Sequence, residues 1–74
     1  MTPKRSVVLF HTSNHAFRAE KLLGDRAIPC SLVPVPRQLS SDCGVCLRVQ
    51  REDRERVIAI LAAGGVEVAG VHDV

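Results

Sequence analysis

Cys43-Gly-Val-Cys46 places two thiols three residues apart, between Arg37 and Arg48. A pair at that spacing can hold a metal, close a disulfide, or present one reactive thiolate. A structural zinc site needs four ligands, commonly two such pairs or a Cys pair with a His pair. Cys30, His11 and His15 are available, but the two histidines belong to a strand end and a helix start, so no metal site is assigned. A redox pair of the thioredoxin type needs its first Cys at a helix start. Here the motif enters a strand, where residues three apart face opposite sides. A bridge therefore requires Cys43 to lie in the preceding loop, which Gly44 permits. The remaining chemistry is that of one activated thiol on a polar loop, with Cys46 kept as the second member of a reactive pair or as a small apolar packing residue. Cys30, following Pro29 into an apolar stretch, is read as packing.

The elements that must position these thiols follow from the rest of the chain. Its 74 residues are 46% hydrophobic and 24% charged, the balance of one small globular domain. Phe10 and Phe17 are the only aromatic residues, so the core must be built from Val, Leu, Ile and Ala. A net charge of +2 is too weak to imply a nucleic-acid or membrane surface. Three cysteines suit a secreted disulfide framework poorly. The apolar run after Lys4 and Arg5 is too short for a signal peptide, and no run approaches the ~20 residues of a membrane span. A reducing cytoplasm with free thiols is the expected setting.

Val7 to Phe10 read as a strand, and Thr12, Ser13 or Asn14 as the cap of a helix that carries Ala16, Ala19, Leu22 and Leu23 at helical spacing. Gly24 lies near its end and Pro29 prevents continuation. Cys30 to Val35 form a second strand, with Pro34 and Pro36 pushing it toward an edge position or a strand end. Pro36 to Asp42 read as a loop. Val45, Leu47 and Val49 then alternate with Cys46 and Arg48 in a third strand. "REDRER" opens a helix with a solvated, charged first turn and i,i+4 pairs, followed by an apolar stripe of Val57, Ile58, Leu61 and Ala62. Gly64 and Gly65 end that helix, and "VEVAGVHDV" is the last strand. The expected fold is α+β, a ferredoxin-like β-α-β-β-α-β domain spanning the chain. Its four-stranded antiparallel sheet runs in the order 4-1-3-2, with helices near 14–25 and 52–64 on one face.

In that sheet the end of the first strand lies beside the start of the third. His11, Ser13 and Asn14 then share one sheet end with Cys43, Gly44, the loop residues Arg37, Ser40 and Ser41, and the Gly64-Gly65 turn. Cations and helix-start N–H groups stabilise a thiolate. His11 is the candidate anion donor or base, whereas His15 reads as a solvated first-turn residue. His72 is assigned no role. Val7 and Leu9 face one side of the sheet and Val8 and Phe10 the other. Two helices cover only one side, so a homo-oligomer is expected over the second.

"LFHTSNHAFRAEKLL", "IPCSLVPVPRQLSSDCG" and "LRV" resemble the selenium/sulfur carrier protein-like family, small domains found alone or fused behind a sulfur-carrier domain. The most specific segment is carried by Pro36, Arg37, Ser40, Ser41, Cys43 and Gly44. The resemblance implies that Cys43 carries a chalcogen, without a cofactor, and exchanges it with a sulfur or selenium donor or acceptor protein. Whether that makes the chain an enzyme is left open. The alternative is a non-enzymatic interaction or regulatory module that dimerises through the open sheet face. Nucleic-acid binding is disfavoured by the lack of aromatics in the third strand, and hydrolysis by the lack of a carboxylate pair or nucleophile motif.

Overall fold

A computed structural model of the chain describes residues 4–35 and 44–73. The elements run β1 (Arg5–Leu9), α1 (Ser13–Asp25), β2 (Cys30–Pro34), β3 (Val45–Gln50), a single 3-10 turn (Arg51–Asp53), α2 (Arg54–Ala63) and β4 (Gly70–Asp73). All three strand pairings are antiparallel, in the order β2-β3-β1-β4, which read from the β4 edge is 4-1-3-2. This is an α+β domain with one four-stranded antiparallel sheet and two helices. Leu9 stands opposite both Cys46 and Gly70, and Val7 opposite both Arg48 and His72.

Period-two alternation sends Val8, Leu47 and Val49 to one face, where Ala16, Ala19 and Leu23 of α1 meet Val57 and Leu61 of α2. Both helices therefore lie on one side of the sheet. Phe10, Leu23, Leu47 and Leu61 are fully buried there, each contributing about 1.5–3 kcal/mol by leaving water. The α1 contacts at Ala16 and Ala19 are small, so that helix can approach the sheet closely. Of the four residues expected to stripe α2, only Val57 and Leu61 are buried. Ile58 is 37% exposed and Ala62 faces solvent, because the helix presents a narrow i,i+4 ridge to the sheet.

Both helices close with the same hydrogen-bond pattern. After α2, Val66 N–H donates to Leu61 O (2.9 Å) and Gly65 N–H to Ala62 O (3.2 Å), with Gly65 at φ +74°. After α1, Ile28 N–H donates to Leu23 O and Ala27 N–H to Gly24 O, each at 3.0 Å, but the left-handed position is Ala27 at φ +56°. The helix thus runs past Gly24, which has no positive φ. The last strand is also shorter than expected. Val66 is pulled into the core by the α2 cap, and pairing with β1 starts only at Gly70.

Candidate functional site

Arg37, Ser40, Ser41 and Cys43 lie outside the described residues, so the geometry of the site begins at its flanks. Val35 N–H donates to the carbonyl of Gly44 at 3.3 Å, extending the β2–β3 ladder by one bond. Gly44 has φ +76°, and a Cβ built there would meet nothing within 4 Å. Its glycine is required by backbone conformation, not by crowding. The residue bonded to Cys43 therefore holds a left-handed turn at the end of the ladder.

Across the sheet, His11 and Gly44 are each two residues beyond the Leu9–Cys46 pair, on the adjacent strands β1 and β3. The start of α1 follows at once. Thr12, extended at φ −139°, is its cap: the side-chain oxygen accepts from His15 N–H at 3.3 Å, and its carbonyl accepts from Ala16 N–H. Ser13 and Asn14 form the exposed first turn, at the positive end of the helix dipole. His11, Ser13, Asn14 and Gly44 are therefore brought to one end of the sheet. The Gly64-Gly65 turn is tied to α1 by Arg18, whose Nη2 donates to Gly64 O at 3.3 Å.

The partner that sequence reasoning missed is Glu67. Its Oε1 lies 3.9 Å from His11 Nε2, on the β4 side of β1, in an exposed pair worth little on its own. Nothing local marks Glu67. It arrives because Ala69 N–H bonds to Leu9 O at 2.8 Å, fixing the segment before β4 against the end of β1. His15 is half-buried, and its Nδ1 has no hydrogen-bond partner, so it is not the fully solvated residue expected.

The two described thiols are both withdrawn. Cys46 is fully buried on the sheet face opposite the helices, packed with Val7 and Leu9 and flanked by Val33 and Val35. Its Sγ lies 4.0 Å from Pro34 O. Cys30, half-buried at the β2 edge, packs against the helix-side core. Burial, and then the charge of Glu20, pushes its thiol pKa up, which lowers its thiolate fraction. The face that carries Cys46 is not bare. Val7 and Leu9 are 2% and 5% exposed in the single chain, so the exposed apolar sheet from which a homo-oligomer was expected is not present at its centre. The large exposed apolar side chains among the described residues are instead Phe17 and Ile58, on the helices.

"REDRER" also departs from expectation. Its first three residues form the 3-10 turn, and Asp53 is buried with its Oδ1 accepting from Arg56 at 2.7 Å, an i,i+3 pair. Arg54 Nη1 reaches both oxygens of Asp73 at 3.1 Å, and Ser6 Oγ, fully buried, donates to Asp73 Oδ1 at 2.7 Å. The charge run thus fastens β4 to α2 across the chain. Among the described residues no group of three or more His, Cys, Asp or Glu could hold a metal, and no helix is long and apolar enough to cross a membrane.

A family model described as "Putative Se/S carrier protein-like" matches residues 5–73. No curated protein and no solved structure matches the chain.

Proposed function

We propose, for a chain that belongs to the Se/S carrier protein-like family, that it relays sulfur or selenium between partner proteins in a reducing cytoplasm, with Cys43 as the carrying thiol on a ferredoxin-like frame. Family membership over residues 5–73 is the observation that carries this reading. The structure supports the choice of cysteine by exclusion: Cys46 is buried among Val7, Leu9 and Val33, and Cys30 has its ionisation disfavoured. A buried, apolar thiol is a poor nucleophile.

The transfer is balanced within itself. The Cys43 thiolate attacks the outer sulfur of a donor persulfide. A new S–S bond forms on Cys43, the donor's S–S bond breaks, and the bonding pair leaves with the donor as its thiolate. The resulting persulfide is an anion at neutral pH. Arg37, His11 and the first turn at Ser13 and Asn14 would stabilise it, with Ser40 and Ser41 as hydrogen-bond donors. Delivery to an acceptor thiol runs the same exchange outward. Intact-mass spectrometry after incubation with a persulfide donor tests the reading, with Cys30→Ser, Cys43→Ser and Cys46→Ser in parallel. A gain of one sulfur that disappears only in Cys43→Ser is expected; a gain that survives in Cys43→Ser overturns it.

A second reading, an interaction module, is favoured by one observation: Phe17 is 53% exposed on α1. Such a ring marks a helix face, not the sheet, as the surface for a partner or a second copy. Sedimentation of wild type beside Phe17→Ser distinguishes the two: loss of a dimer in the variant supports the module, and a monomer in both removes this support.

A further inference from the structure

The end of the sheet remote from Gly44 carries a second feature. A cavity of about 580 Å³ is lined by Lys4, Arg5, Gln50, Arg51 and Glu52. A smaller one of about 170 Å³, sharing Arg5 and Gln50 as walls, continues to Arg48 and Cys30. The two are held between clamped strands: Arg5 pairs with Gln50 in the β1–β3 register, and Arg51 N–H donates to Lys4 O at 3.2 Å.

Alternation puts Arg5, Arg48 and Gln50 on the sheet face away from the helices, with Arg48 one diagonal step from Arg5. Four basic residues and one acidic residue, Glu52, line the two cavities. Arg51 leans on Asp73 at 3.8 Å, but among the described residues Lys4, Arg5 and Arg48 make no ion pair. Like charges on diagonal positions of one ladder disfavour each other, and an oxyanion shared between them would relieve that cost. Planar forks match a tetrahedral dianion bidentately, and the Gln50 amide and Lys4 ammonium add donors. The larger volume lies in the range of small-molecule sites, and the smaller one, where Arg5 and Arg48 both form walls, has room for a phosphate group.

We propose that this cleft binds a small molecule through a phosphate group, gripped by Arg5 and Arg48 and closed by Lys4 and Gln50. It lies about five residues of strand, roughly 17 Å, from Gly44, and stands independently of the thiol relay.

The test is a titration of the full chain with inorganic phosphate at constant ionic strength, followed by amide NMR shifts. Saturable shifts confined to Lys4, Arg5, Arg48 and Gln50 are expected. Arg5→Gln and Arg48→Gln should each weaken binding about tenfold, the loss of one charge-assisted pair. Arg48→Lys should weaken it too, since the charge stays and the fork is lost. Arg18→Gln, beside the Gly64 turn and away from the cleft, should change nothing. Should the glutamine variants fold poorly, Arg48→Lys and the wild-type rise in Tm with phosphate, absent with chloride, carry the test. Shifts that do not saturate, that chloride reproduces, or that the Arg48 variants leave unchanged overturn the proposal. So does saturation of these amides by hexaglutamate but not by phosphate, which would make the cleft a docking patch for an acidic protein.

Discussion

The backbone N–H of Val35 donates to the carbonyl of Gly44 across 3.3 Å, one step beyond the last pair of the β2–β3 ladder, Pro34 and Val45. Val35 and Gly44 therefore stand opposite each other just past the last ladder pair, and Gly44 takes a left-handed conformation. The Cys-Gly order of the motif has a physical reason on its glycine side: the residue after Cys43 must turn where an L side chain is strained.

Gly44→Ala tests that reason. No atom lies within 4 Å of the new Cβ, so the cost is backbone strain of about 1–2 kcal/mol, offset in part by reduced unfolded-state freedom. Urea unfolding should show a loss of about 1 kcal/mol with an unchanged m-value. A variant as stable as wild type would mean that the turn relaxes without glycine.

Ala27→Gly should do the reverse. Ala27 occupies the left-handed position of the α1 cap at φ +56°, where helices usually place glycine. Relief of strain outweighs glycine's greater unfolded-state freedom, and a gain of about 0.5–1 kcal/mol is expected in the same experiment. A net loss would show that the strain at Ala27 is negligible.

Asp73 sets an acid limit. The Ser6 hydroxyl bond above all, then Arg54 and Arg51, hold its carboxyl below the ordinary carboxylate range against an opposing desolvation. A depressed folded pKa contributes stability that is present above the unfolded value, near 3.9, and is lost as pH falls through the folded value. Thermal melts of wild type should therefore lose stability below about pH 4, and Asp73→Asn should flatten that part of the profile. An unchanged acid limb in Asp73→Asn would assign the effect to other carboxylates.

The thiols should separate by rate and by pH. Peptide-mapped alkylation under native conditions is expected to label Cys43 first. Cys30 should follow with a midpoint above that of an ordinary thiol, and Glu20→Gln should lower that midpoint only in part, because burial is the larger cause. Cys46, fully buried, should react only through opening of the domain, so its rate should climb with sub-denaturing urea. Labelling of Cys46 before Cys43 would sink the relay as proposed.

The order of elements, a capping oxygen among Thr12, Ser13 and Asn14, the edge position of β2 and the Gly64-Gly65 stop were legible along the chain, because periodicity, capping oxygens and glycine act over a few neighbouring residues. The same local rules placed Val7 and Leu9 on one face and Val8 and Phe10 on the other. They could not show that Val7 and Leu9 are buried on their face, that Cys46 is buried beside them, or that Ile58 faces out, since those depend on what packs above each position. Glu67 beside His11, Asp73 beneath Ser6, and Arg48 diagonal to Arg5 are all long-range pairings. Their register was decided only when β1 took its place between β3 and β4, because a strand's neighbours are chosen by the burial of the whole sheet and leave no mark at either residue alone.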